Sequence, residues 1–161
     1  VASAAVAAVL AIPFGACSDD ASDDPEPLAI DRIAPAIAAV ETERGGPQEY
    51  FEINATPLLV NVFVASGGEV VPYVYVDEQL TMREAEPATG ETFTADAVTF
   101  DARTMLDAVV DELPDVTLEV FTIVGRGDGE VQYGVLASSA AGGRLDITLT
   151  ADGRVAGVDP G

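Results

Sequence analysis

The sequence predicts an α+β fold: two tandem helix-plus-antiparallel-sheet units, (αβββ(β))2, placed after an apolar leader and an acidic tether. Three observations carry this expectation. Two segments, opening at Ile30 and at Phe100, hold apolar residues at helical spacing. Each is followed by three runs with the alternation of strands, and Asp152-Gly153 reads as a tight hairpin turn into a short last strand.

Taken in order, residues 1–16 (VASAAVAAVLAIPFGA) carry no charge. The stretch is short of the ~20 apolar residues a membrane helix needs and matches a secretory leader, whose apolar core runs ~7 to 15 residues. Residues 17–27 are polar, acidic and Pro-containing, a composition that buries too little apolar area to fold and reads as a tether. The first unit covers residues 28–83. Its helix has Ile30, Ile33, Ile37 and Val40 on one side, Pro35 disturbs its first turn, and Gly45-Gly46 close it. Strands are expected over 49–55, 58–65 and 69–76. Residues 84–96 are read as a linker.

The second unit covers residues 97–161. Asp101 suits an N-cap, and Phe100 with Met105 has the spacing of a hydrophobic staple. Met105, Leu106, Val109, Val110 and Leu113 form the apolar side, and Pro114 stops the helix. Strands follow over 117–124, 130–137, 144–150 and 154–158. Each unit is small enough to be marginal alone, so the two are expected to pack together or share a sheet.

Two resemblances attach to these residues. Phe14-Gly15-Ala16-Cys17 resembles the lipobox of bacterial lipoprotein precursors, which implies a diacylglyceryl group on Cys17, cleavage before it, and a lipid-anchored protein on the extracytoplasmic face of the cell membrane. From residue 28 to 159, the order of elements and the ending LDITLTADGRVAGVDP resemble PepSY-like repeats and the tandem α+β inhibitor proteins that bind β-lactamases. That likeness implies a binding role and transfers no site residue.

The composition excludes much chemistry. Lys+Arg is 7 against Asp+Glu 28, a formal net charge of −21, and lysine is absent. Nucleic acid is excluded as a partner, because phosphate binding needs basic side chains. There is no histidine, and Cys17 is the one cysteine, so Ser/His/Asp and Cys/His catalysis and His-based zinc sites are ruled out by residue type. No catalytic residue, metal or cofactor is expected. A carboxylate-based hydrolase drawing on Asp107, Asp111, Glu112 and Asp115 is a remote alternative, since helix-face acids are ordinarily solvated surface. Arg126-Gly127-Asp128 reads as a hairpin tip, and Asp128, Glu130 and Asp152 are candidates for one end-of-sheet calcium site.

The candidate contact residues are Tyr73 and Tyr75. Aligning the turn after them with Asp152-Gly153 puts both on the sheet face away from the helices, where tyrosines make good partner contacts; the competing expectation is that both are core. The function expected is therefore a non-enzymatic, membrane-anchored binding module for a protein or envelope component. The alternative is a carrier of an apolar ligand such as a lipid, held in a dry cavity between sheet and helices.

Overall fold

In the computed structural model, which describes residues 26–99 and 101–161, apolar side chains alternate along the strands and point to one common side. The elements are a 3-10 turn Ile30–Arg32, helix α1 Ile33–Arg44, and strands β1 Glu49–Ala55, β2 Val60–Ser66, β3 Glu69–Val76, β4 Gln79–Met82, β5 Glu86–Pro87 and β6 Phe93–Thr94. A 3-10 turn Ala95–Ala97 leads to α2 Ala102–Glu112, then β7 Val116–Gly127, β8 Glu130–Ser139, β9 Arg144–Leu149 and β10 Val155–Pro160. The described strands form a 10-stranded sheet in the order β10-β9-β8-β7-β1-β2-β3-β4, with β5 on β3 and β6 on β1.

This corrects the expected fold class. Instead of two helix-plus-sheet units, the chain makes one large antiparallel sheet with two short helices of 12 and 11 residues. The reason is the seam: Glu52–Ala55 of β1 pairs antiparallel with Phe121–Val124 of β7. Left apart, each half would expose an unpaired strand edge, which is an aggregation-prone surface; pairing β1 with β7 removes both edges at once. Residues 84–96 contribute to the sheet as well, since β5 and β6 lie within them.

Both helices cover the same face. Ile33, Ala36, Ile37 and Val40 of α1 are buried against it, as are Met105, Leu106 and Val109 of α2. Underneath lie Tyr50, Ile53, Val60, Val62 and Val64 on one half and Phe121, Ile123, Val135, Ile147 and Leu149 on the other. The helix ends follow from local chemistry. Gly45, at φ +81°, ends α1 in the left-handed conformation and donates its N–H to the Glu41 carbonyl. Asp101 caps α2, its carboxylate accepting the Thr104 N–H at 3.1 Å. Phe100, the other half of the expected staple, lies outside the described residues. So do Cys17, the leader and most of the tether.

Turn chemistry departs from expectation in one informative place. Asp152-Gly153 is not a two-residue type I′ turn: Gly153 N–H donates to the Thr150 carbonyl at 2.9 Å, and of that pair only Gly153 has positive φ. Two-residue turns with both residues at positive φ occur instead at Gly67-Gly68, Asp77-Glu78 and Asp128-Gly129. At Glu78, φ +61° falls on a residue with a Cβ, and the left-handed region costs such a residue about 1 kcal/mol. Glycine would relieve that strain but would also give the unfolded chain about 0.4–1 kcal/mol more conformational freedom, so Glu78→Gly is expected to stabilise by a few tenths of a kcal/mol at most and shift the melting temperature by no more than about 2 °C in a thermal scan.

Candidate functional site

Tyr73 and Tyr75 are not on the open face. They are 2% and 8% exposed and sit in the core beneath α1. The Tyr73 hydroxyl accepts a hydrogen bond from Arg44 Nη1 at 3.3 Å, while other N–H groups of that guanidinium reach Gln48 and Ser66. The misplacement traces to the turn. β3 and β4 are joined by two residues, Asp77-Glu78, with Val76 pairing with Gln79. The connection after Leu149 spans Thr150 to Arg154 before Val155 pairs back. Equating the two turns shifts the alignment by one residue, and a one-residue slip exchanges the two faces of a strand.

The face opposite the helices is built from the alternate residues. One cross-strand row reads Thr81, Val74, Asn61, Asn54, Thr122, Gly134, Thr148 and Gly157, each directly opposite the next. Beside it run Pro72, Phe63, Glu52, Val124 and Gln132. On the β2–β3 half this face is apolar, with Phe63, Val70, Pro72, Val74 and Val76 all half-buried. At the centre it is polar and tied together. Asn61 Nδ2 donates to Asn54 Oδ1 at 2.8 Å, and Asn54 Nδ2 donates to Glu52 Oε1 at 2.8 Å. The relay holds the Glu52 carboxylate at the edge of the apolar patch. Asn is depleted in strands, so Asn54 and Asn61 were the signal in the sequence that could have marked this surface.

A segment of the expected linker reaches this face. Residues 88–91, with Phe51, Glu52, Phe63 and Val70, border an open pocket of about 360 Å3. Gly90 lies against the Phe51 ring, and a Cβ at Gly125 of β7 would stand 2.6 Å from the Glu91 carbonyl oxygen. The chain then moves to the other side of the sheet. Phe93 is 2% exposed, its ring 5.8 Å from that of Tyr50 in the core.

On the helix side, Tyr50 donates its hydroxyl proton to Glu41 Oε1 at 3.2 Å. Burial first, and the neighbouring Glu41 charge second, push its pKa well above the ordinary tyrosine range, so the ring stays neutral at physiological pH. The space between helices and sheet, where a carried apolar ligand would lie, is filled by Tyr50, Ile53, Phe121 and Ile123, each fully buried. Two open troughs, of about 680 and 410 Å3, flank the Arg103–Asp31 ion pair, which closes at 2.6 Å between α2 and the turn before α1.

The acidic candidates do not converge. Asp107, Asp111, Glu112 and Asp115 are all exposed. Asp128 and Glu130 belong to the β7–β8 hairpin. Asp152 is engaged within its own turn, accepting from Thr150 Oγ1 at 2.6 Å and pairing with Arg154 at 2.8 Å. That hydrogen bond and the guanidinium lower its pKa. Among the described residues no group of three or more His, Cys, Asp or Glu side chains could hold a metal ion. Nor is any helix among them long and apolar enough to cross a membrane.

Comparison with known proteins returns one informative likeness. No family model matches the chain. Among curated proteins no match is found. Among solved structures, a putative lipoprotein from Clostridium difficile 630 superposes with a TM-score of 0.53 at 11% sequence identity, over 87% of this chain and 97% of that one. At that identity the likeness is one of fold: this sheet, with its helices on one face, has been built from a very different sequence.

Proposed function

We propose that this chain is a non-enzymatic binding module, held at the extracytoplasmic face of a cell membrane by a lipid on Cys17, whose open sheet face docks a protein partner. The observation that carries the reading is the half-apolar face formed by Phe63, Val70, Pro72, Val74 and Val76 beside the Asn61–Asn54–Glu52 relay. Apolar side chains gathered on a sheet face that no helix among the described residues covers are characteristic of interaction sites. With a net charge of −21, the chain attracts a partner whose contact surface has an apolar centre and a basic surround. The lipobox-like Phe14-Gly15-Ala16-Cys17 supports the anchor, and so does the description of the Clostridium difficile structure as a putative lipoprotein.

Two measurements test the two parts. Mass spectrometry of the mature protein is expected to find Cys17 as the N-terminal residue carrying a diacylglyceryl mass; an unmodified Cys17 in a longer chain refutes the anchor. For the face, Phe63→Lys and Val74→Lys place cations where a basic partner must sit. Each is expected to weaken capture of the partner from envelope extract at least about tenfold without lowering the melting temperature, whereas Ala108→Lys on α2 leaves capture unchanged. Equal capture by all three variants refutes the docking face.

A further inference from the structure

We infer that the trough between α1 and the start of α2 is a second docking site, shaped for a basic amphipathic α-helix of a partner protein. The first observation is the outward side of α1. A surface helix ordinarily shows water a polar face, as α2 does with Arg103, Thr104, Asp107, Asp111 and Glu112. From Ile33 to Val40, α1 carries no polar side chain at all: Ile33, Ala36, Ile37 and Val40 are buried inward, and exposed Ala34, Pro35 and Ala38 face out. The polar layer that would suit permanent contact with water is missing.

The second observation is the space beside this face. A trough of about 680 Å3 runs between α1 and the segment leading into α2, with Ile33, Ala34, Ile37 and Ala38 on one wall and Val98 and Ala102 on the other. No strand residue lines it, because the sheet below is sealed. An occupant must therefore lie along the surface and be held from one side, the way an amphipathic helix seats in a groove. Ala34 and Ala38, one turn apart, let a helix axis come close. Helix α1, at 12 residues, matches a partner helix of about three turns.

The third observation is charge. Among the described residues lining the trough, Arg103 and Asp31 neutralise each other as an ion pair at 2.6 Å, and the carboxylates of Glu41 and Asp101 remain, which leaves the rim net negative. The trough therefore favours lysine and arginine flanking an apolar stripe and disfavours acidic or lipid-phosphate groups. This site is independent of the open sheet face, on the opposite side of the molecule.

The test uses the full chain with three synthetic peptides of about 14 residues: a Leu/Lys sequence with helical periodicity, a scrambled sequence of the same composition, and a Leu/Glu helix of the same pattern. Calorimetric titration at physiological salt is expected to give micromolar binding for the Leu/Lys helix and at least about tenfold weaker binding for the other two. Ala34→Arg and Ala38→Arg, exposed positions where arginine suits a helix, are expected to reduce Leu/Lys binding about tenfold with the melting temperature unchanged. Equal binding of the scrambled peptide, or full binding by both variants, means attraction to net charge alone and overturns the proposal. Binding of the Leu/Glu helix as tight as that of Leu/Lys overturns the charge argument and with it the proposal. A wild-type dimer that Ala38→Arg converts to monomer assigns the face to a second copy of the chain and overturns it too.

Discussion

Phe93→Ala is expected to cost the fold about 3–5 kcal/mol, measured as the drop in unfolding free energy in urea. The magnitude follows from its position. Phe93 is 2% exposed and belongs to β6, whose two residues pair with Glu49 and Tyr50 where β1 extends past its pairing with β7. Its ring rests against Tyr50, which in turn bonds Glu41 of α1. Removing it leaves a cavity among β1, β6 and α1 and frees the end of the segment that begins beside Phe51. Domains of this size have total stabilities of only about 5–15 kcal/mol, so the variant should retain little margin at 37 °C. Phe93→Leu keeps most of the volume and is expected to lose less than about 2 kcal/mol. A loss under 1 kcal/mol for the alanine variant shows that the position is not packed as described.

The second large effect is at Tyr73 and Tyr75. Replacing both with serine removes two buried rings from beneath α1, leaves Arg44 without its Tyr73 acceptor, and sets a hydroxyl at each site in an apolar environment. Each change resembles an aromatic-to-small core substitution, about 3 kcal/mol, and because the two residues lie on one strand face their losses are coupled. The double variant is expected to be largely unfolded at room temperature by near-ultraviolet circular dichroism. A well-folded double variant would return these tyrosines to the surface.

The sequence made the individual elements legible because each is a local pattern. The alternation in Leu145, Ile147 and Leu149 marks β9, and all three face the helices. The helical spacing of Ile33, Ile37 and Val40 marks α1, whose left-handed end at Gly45 and the cap at Asp101 are one-residue chemistry. What was not legible is non-local. No signal near Asn54 says that it will lie opposite Thr122, because cross-strand choice between distant strands depends on which edges remain free. β5 and β6 are two residues each, too short for periodicity to register. The faces of β3 were exchanged because hairpin register depends on turn length: Asp152-Gly153 advertises a two-residue turn but lies inside the longer Thr150–Arg154 connection, so laying it on the two-residue turn Asp77-Glu78 slipped the alignment. The same slip reversed the open face: with Tyr73 and Tyr75 expected outward, Val74 between them falls to the core side, whereas the structure puts it on the open face beside Asn61.

The β1–β7 seam also governs how the chain acquires its structure. Every other pairing along the main sheet joins strands that are neighbours in sequence: β1 with β2, β2 with β3, β3 with β4, and likewise through β7, β8, β9 and β10. These hairpins close short loops and form in microseconds once nucleated. The seam must bring together strands far apart in the chain, Ile53 opposite Ile123, and it repays that loop-closure entropy only when Glu52–Ala55 meets Phe121–Val124. Until then both strands present bare edges, and the segment carrying Phe93 has no slot to enter. The seam is thus expected to be the slow step of folding, and pairing of β1 or β7 with another copy of the chain is the misfolding route that the topology predicts.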